Sequence, residues 1–479
     1  MTKISSRVPG FLRSAIFICL AADVSQSAQA ASVTLSPGDN IQAAVKAAPA
    51  GTTFLLKSGV YRMQVVLPKA GDTFIGQGSV DFNGSEELSF LHDPAGSGLY
   101  VSTAVASTAF HGSCQSLHPL CGYSQDLFID GQLQNLVSTP AGLKSGSWYF
   151  DRGHNKVYLP VNPAGHVVEL GMESYAFYGS ASNVHISNLT VEKYATPAQW
   201  GAVGGTTGQS GGLGSGWVVN TVETRWNHGG GIVLGDNSQI LNSYVHNNGQ
   251  IGIKFDFCTN CKAIKNEISW NNYAGFATNW EAGGSKFWST TNLLVQQNYV
   301  HDNVGQGLWT DTNNVGTTYE SNVVVNNTEV GILHEVSYSA VLHSNTVKGN
   351  QAGSSNWVGN GQIVILSSSN VEIKGNIIEV PASSGDGIVI VNQTRGTGTL
   401  GPWIASNNYV HNNTVTYLGA AGQSGMTDMN GKTSSLGNRF DYDRYIVAGG
   451  GTAHWNWFGH KDWKDFLALG REPHGVCCN

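Results

Sequence analysis

Tyr244-Val245-His246-Asn247-Asn248, Ile268-Ser269-Trp270-Asn271-Asn272, Tyr299-Val300-His301-Asp302-Asn303 and Val323-Val324-Val325-Asn326-Asn327 are four versions of one phrase. Each closes on Asn and leads to Gly and a short apolar run. The closing residues Asn248, Asn272, Asn303, Asn327 and Asn350 recur at steps of 24, 31, 24 and 23 residues. A period of this size, built from short strands without a helical pattern, marks an all-β solenoid, here a parallel β-helix. The one long step points to an insertion around 281–291. Positions one period apart lie on neighbouring coils, about 4.8 Å apart. The repeat therefore converts sequence distance into columns in space.

Within each coil the strand after Gly alternates. In Gly252-Ile253-Lys254-Phe255-Asp256, Ile253 and Phe255 face inward while Lys254 and Asp256 face outward. The expected stacked equivalents are Gly275-Phe276-Ala277-Thr278-Asn279, Gly307-Leu308-Trp309-Thr310-Asp311 and Gly331-Ile332-Leu333-His334-Glu335. The Asn248-Asn272-Asn303-Asn327-Asn350 column reads as structural, its amides bonded to one another along the axis. His246 and His301, grouped in a turn column with Trp270, also read as structural, and His334 reads as a satisfied core histidine beside Thr310.

Further out, Asn40 or Asp39 can cap a short helix over 41–48, placed to cover the open end of the solenoid. Strand-like segments follow at 53–56 and 59–61. Residues 85–170 break the period and form an inserted β-rich subdomain. A Gly-rich loop is expected at 204–216. An aromatic-rich end carries Trp455, Trp457, Phe458, Trp463 and Phe466. The domain reading is a signal peptide at 1–30, cap, first coils and insertion at 31–170, β-helix at 171–430, and a C-terminal cap at 431–479.

The N-terminus has the shape of a secretory signal: Lys3, Arg7 and Arg13, an apolar core at 15–22, and Ala28-Gln29-Ala30 before the cut. A secreted or periplasmic protein is expected, with no membrane span. Cys19 leaves with the signal. Cys114–Cys121 and Cys258–Cys261 are the simplest disulfides, and Cys477 and Cys478 complete the set. A zinc site from Cys258, Cys261 and the terminal pair is the alternative. The net charge of −7 argues against a nucleic-acid partner, and a monomer is expected.

The repeat resembles the pectin-lyase-like right-handed parallel β-helix superfamily, which includes pectate lyases, polygalacturonases, alginate and chondroitin lyases and several β-helical glycosidases. The resemblance spans nearly the whole chain after residue 30. Asn-Ile-Gln-Ala-Ala-Val at 40–45 through Ser-Gly-Val-Tyr-Arg at 58–62 looks like the family's capping helix and first coil. The stretch 147–159 is similar to an insertion of some β-helical glycosidases. The resemblance implies a carbohydrate-active protein. It assigns no catalytic residue, since no polygalacturonase-type Asn-Thr-Asp, Gly-His-Gly or Arg-Ile-Lys motif and no pectate-lyase signature is apparent.

A site is instead read from the outward column Asp256, Asn279, Asp311, Glu335. Like charges stacked on adjacent coils are costly and persist where they serve a purpose. Lys254 and Trp309 lie two residues earlier in their strands, and Glu281, Lys286 and Trp288 come from the presumed insertion. The catalytic candidates are thus Asp311, Glu335, Asp256 and Glu281. Lys254, Asn279, Lys286, Trp288 and Trp309 would bind the polysaccharide or oligosaccharide substrate, with aromatic rings as sugar platforms. In a glycoside hydrolase, which needs no cofactor, Asp311 would be the proton donor, Glu335 or Asp256 the base or nucleophile, and Glu281 a reserve. In the alternative, a polysaccharide lyase or epimerase, Asp256, Asp311 and Glu335 would hold Ca²⁺ and Lys254 or Lys286 would abstract the proton. The third reading is a non-catalytic carbohydrate-binding surface protein.

Overall fold

A computed structural model describes residues 31–105, 109–205, 212–351, 360–432, 434–448 and 450–478. The signal-peptide reading, Cys19 and the middle of the Gly-rich stretch lie outside the described residues. Among the described residues no helix is long and apolar enough to cross a membrane.

The chain winds as a right-handed parallel β-helix. Its walls are a 22-stranded and a 12-stranded sheet among the described residues. Each coil gives two short strands to the larger sheet and one to the smaller. In the coil of Asn271 these are Lys262–Ile264, Glu267–Ser269 and Gly283–Trp288. Single residues with positive φ bend the chain between walls, for example Asn242, Lys265 and Gln297 at one corner and Asn247, Trp270 and Asp302 at the next. Asn and Asp tolerate this region better than branched residues do, which explains their abundance at the corners.

The core is a column of stacked aliphatic and aromatic side chains, among them Ile253, Phe255, Phe287, Ile332 and Ile363. Beside it runs an amide ladder through Asn227, Asn248, Asn271, Asn303, Asn327, Asn350 and Gln362. Each side-chain amide reaches the oxygen of the next coil's residue at 2.9–3.1 Å. Buried corners are thereby satisfied without water. A parallel ladder runs through Asn266, Asn298, Asn322, Asn345, Asn376 and Asn413. Gly252, Gly284, Gly307 and Gly331 stack against the first ladder. A Cβ on Gly307 would lie 2.6 Å from the Gly331 oxygen and 3.0 Å from the Asn327 amide nitrogen.

The ladder member in the long coil is Asn271, so the expectation for Asn272 is corrected. Asn272 instead clips a turn, accepting from the Phe276 N–H and donating to the Phe276 and Val304 carbonyls. Trp270 likewise aligns with Asn247 and Asp302, whereas Ser269 is the register partner of both His246 and His301. The extra residues are 273–282 rather than 281–291. Gly283–Trp288 is a regular wall strand, with Lys254 opposite Lys286 and Asp256 opposite Trp288. Two glycine-led runs compete in this coil, and the first is held elsewhere: the Gln115 N–H bonds the Gly275 carbonyl and the Ala277 N–H bonds the Ser113 carbonyl.

At the N-terminal end the helix Ile41–Ala47 buries Ile41 and Val45, and the Asn40 side chain caps it through the Ala43 N–H at 2.8 Å. The first coils, Ser32–Leu35, Thr53–Arg62 and Thr73–Asn83, stack directly on His185–Glu192. The intervening residues form two small, mostly antiparallel sheets with their own core around Leu127, Trp148, Phe150, Val157 and Leu170. Coils continue past residue 430, since Arg439–Asp441, Arg444–Val447 and Trp455–Trp457 all pair with the preceding coil. The helix Trp463–Ala468 then packs Phe466 against Phe440 and Trp457.

Three disulfides join Cys114 to Cys121, Cys258 to Cys261 and Cys477 to Cys478. The four sulfurs of the zinc alternative are therefore bonded in pairs. Disulfides belong to an oxidising compartment.

Candidate functional site

On the outer face of the 12-stranded sheet, four successive coils and a segment from a later one bring seven charged side chains together. Lys254 and Asp256 end the strand Ile251–Asp256, and Lys286 lies on the next strand. Asp311 ends Leu308–Asp311, and Glu335 ends Ile332–Glu335. Glu281 enters from the short helix Thr278–Glu281, and Arg395 from the segment after Asp386–Asn392.

Charges alternate along this seam. Lys254 Nζ lies 3.2 Å from Asp256 Oδ1 and 2.7 Å from Glu281 Oε1. Lys286 Nζ lies 3.8 Å from Glu281 Oε2 and 3.0 Å from Asp311 Oδ2. Arg395 Nη1 lies 2.7 Å from Glu335 Oε1, while Trp309 Nε1 donates to Glu335 Oε2 at 3.1 Å. Lys286 also sits over the Trp309 ring at 3.9 Å. Gln199 and Gln250 fix Glu281, the first through its carboxylate and the second through its carbonyl.

These strand ends are buried, not solvated. Lys254, Asp256, Glu281, Lys286 and Glu335 are all under a tenth exposed, and the Asp311 side chain is the most open of the four acids at 17%. Burial raises Asp256 to about 6, Lys254 opposing and Glu281 adding to the rise. Burial also raises Glu335, and the Asp311 charge raises it further against Arg395 and Trp309. Lys254 is raised: desolvation alone would lower it, but Glu281 and Asp256 more than offset that.

Of the residues expected here, Asp256, Asp311, Glu335, Lys254, Lys286, Trp309 and Glu281 converge. The column itself reads Asp256, Trp288, Asp311, Glu335. Asn279 is not in it. It sits exposed on the short helix, because that segment belongs to the extra residues of its coil. Trp288 takes the vacated place and packs on Phe257. Trp280 packs on Phe276. His334 is fully buried, accepting from or donating to Thr310 Oγ1 at 2.7 Å and reaching the Tyr338 carbonyl at 2.7 Å. Burial lowers it to about 4. Arg395 was not foreseen. It lies off the coil period, and no periodic signal marks it.

Among the described residues no three His, Cys, Asp or Glu side chains are grouped as a metal cage. Asp256 and Asp311 are separated by Trp288, and each of Asp256, Asp311 and Glu335 already faces a cation. The donor set does not fit Ca²⁺.

A second polar centre joins the inserted sheets to the coils. His228 places Nδ1 2.8 Å from Asp126 Oδ2 and Nε2 2.7 Å from the Cys121 carbonyl, and Tyr273 donates to Asp126 Oδ2 at 2.6 Å. It floors a cavity of about 500 Å³ that does not include the seven-residue seam.

Residues 207–378 match the family model described as "Right handed beta helix region". No curated protein sequence matches the chain. The fold is similar to that of XylC, solved in complex with xylose: TM-score 0.66, 14% identity, covering 92% of this chain and 82% of that one. It is also similar to the A-modules of the Azotobacter vinelandii mannuronan C-5 epimerases AlgE4 and AlgE6, with TM-scores of 0.50 and 0.51 and 14% identity to each. Those alignments cover 92% of this chain and 95% and 93% of theirs.

Proposed function

We propose that this protein is a glycoside hydrolase acting on a polysaccharide or oligosaccharide, with Glu335 as general acid and base and Asp311 as nucleophile. The observation that carries the reading is the pair itself. Asp311 and Glu335 are register partners on adjacent coils, roughly 4.8 Å apart at the backbone, and their surroundings differ. Glu335 is buried, and burial together with the Asp311 charge raises it above the usual glutamate value, the direction a proton donor needs. Asp311 is more open, and Lys286 Nζ lies 3.0 Å from its carboxylate. The roles assigned from position alone are thereby exchanged. Asp256 is two coils from Asp311 and closed over by Lys254, so it is a supporting group in this reading.

Carboxylates on register-paired positions of adjacent coils suit retention, for which the two carboxyls stand about 5 Å apart and leave no room for a water between the nucleophile and the anomeric carbon. Asp311 Oδ attacks that carbon as its bond to the leaving oxygen breaks, and the Glu335 proton passes to that oxygen. Glu335, now a carboxylate, takes a proton from water. The water oxygen then displaces Asp311, restoring both residues. Lys286, stacked over Trp309, would hold Asp311 in place. XylC, similar in fold, was solved with xylose, which supports a sugar substrate.

The lyase or epimerase reading is favoured by one observation, two buried lysines beside the acids. Incubation with a polysaccharide panel, with and without EDTA, separates the two. New reducing ends without absorbance near 235 nm, unaffected by EDTA, are expected. Absorbance that EDTA abolishes would overturn the hydrolase. Proton NMR of the first-formed product should show the substrate's anomeric configuration.

A further inference from the structure

The Tyr-Val-His phrase of the repeat has no part in the seam, since it lies on the 22-stranded sheet. There it builds the same object more than once. Tyr244 stacks on His246 with ring centroids 3.8 Å apart, and Tyr299 stacks on His301 at 4.0 Å. Each histidine is pinned on both nitrogens: His246 by Asn247 and Glu223, His301 by Asp302 and Glu267. Each tyrosine nevertheless stays open to solvent, at 38% and 43%. Rings this exposed gain little from burial, yet their orientation is fixed by buried hydrogen-bonded partners.

Tyr244 also stands at the end of a groove. A concavity of about 320 Å³ runs along the axis over four coils, following the corner where Asn188, Thr221 and Asn242 take positive φ. Ser79, Thr190, Glu223 and Asn242 line it before it reaches Tyr244. Register places Glu267 next to Tyr244 and Tyr299 next to Glu267, so the two rings lie about 10 Å apart on one line. That leaves room for one sugar ring between two stacked ones. Carboxylates flank Tyr244 on both sides along this line, and Arg225 pairs with Glu223 at 2.7 Å while Lys265 lies at the same corner, so the charges along it are balanced, which suits a neutral polymer.

We propose that this corner is a second saccharide-binding surface, separate from the seam, that takes a neutral, hydroxyl-rich polysaccharide chain extended along the helix axis. Tyr244 and Tyr299 would stack its sugar rings. Glu223, Thr190 and Asn242 would meet its hydroxyls. The proposal does not depend on the chemistry at Asp311 and Glu335.

The test is affinity electrophoresis of the Asp311→Asn protein in gels containing soluble xylan, soluble β-glucan or alginate, which removes turnover from the readout. At least one neutral polymer should retard the protein, and alginate should not. Tyr244→Ala with Tyr299→Ala should weaken that retardation about tenfold, the effect of losing roughly one stacking contact. In the otherwise native protein the double substitution should leave hydrolysis of a short soluble substrate unchanged. Ser79→Arg fills the groove from an exposed position without touching either ring stack, and should weaken retardation even if the tyrosine variant fails to fold. Retardation by alginate alone, no retardation by either neutral polymer, or retardation unchanged by Ser79→Arg would each overturn the proposal.

Discussion

Asp311 and Glu335 face each other across one strand spacing but rest on different cations, Asp311 on Lys286 at 3.0 Å and Glu335 on Arg395 at 2.7 Å. Lys286 comes from the preceding coil and Arg395 from a segment 60 residues further on. Two like charges at this spacing repel; Arg395 and the Trp309 N–H bond offset part of that on Glu335, while its burial and the Asp311 charge act to raise it.

The division of roles gives a leaving-group test. Asp311→Asn should lower kcat on every glycoside by at least about 10³-fold, as expected when a nucleophile is removed. Glu335→Gln should do the same on a natural glycoside but lose far less on a dinitrophenyl glycoside, whose leaving group needs no proton. Equal losses on both substrates in Glu335→Gln would remove it as the acid.

Asp256 gives a pH test of stability. Its folded value of about 6 stands above its ordinary 3.8, so the folded state holds its proton more tightly than the unfolded chain does. The stability this contributes is complete below about 3.8 and is lost as pH rises through about 6. The stability of the parent relative to Asp256→Asn should therefore fall by about 3 kcal/mol between pH 4 and pH 7. Urea unfolding at a series of pH values measures it, and a flat difference would mean that Lys254 keeps Asp256 ionised throughout.

His228 titrates the other way in cause but not in sign. Desolvation alone would lower it, yet Asp126 and the Cys121 carbonyl raise it above its ordinary 6.5. Its contribution is present below that ordinary value and is lost as pH rises through the raised one. The melting temperature of the parent relative to His228→Asn should decline as pH rises above the ordinary 6.5. Asp126 faces the ring directly, Tyr273 donates to that same Asp126 carboxylate, and Arg152 opposes the ring's charge; Asp126→Asn should abolish the trend.

The amide ladder predicts a cost that size alone does not. Asn303→Leu keeps the volume but strands the Ile268 carbonyl and the Asn271 backbone N–H, both bonded to Asn303 now. Two buried groups left unpaired should cost about 2–6 kcal/mol. Asn272→Leu removes the Phe276 clip and the bond to the Val304 carbonyl, groups of the extra segment and its neighbouring turn and not of the ladder, and should cost less. Chemical denaturation of the two variants orders them, and the reverse order would move the ladder to Asn272.

How much of this was legible varies with how local the signal is. The period, the inward parity of Ile253 and Phe255 and the cap at Asn40 follow from side-chain alternation and backbone preferences, which act over a few residues. The ladder was legible except in its longest coil. Asn271 and Asn272 are adjacent, and nothing local says which turns inward. That single slip moved Trp270 with it, whereas Asn279 left the column because the wall strand starts at Gly283 and not at Gly275. Glu281 and Lys286 were found by composition, although the coil boundary around them was misplaced.

By itself, then, the sequence determined the coil, its core and the acids that one column would carry, since a repeat whose walls alternate leaves those residues few other places. The tertiary structure alone decided that Gly283–Trp288 is the wall strand, because the inserted sheets hold Gly275 and Ala277 away. It also decided how deeply each acid is buried and which cation it meets. Burial and the approach of Arg395 are properties of segments that meet only in the fold, and no periodicity records them.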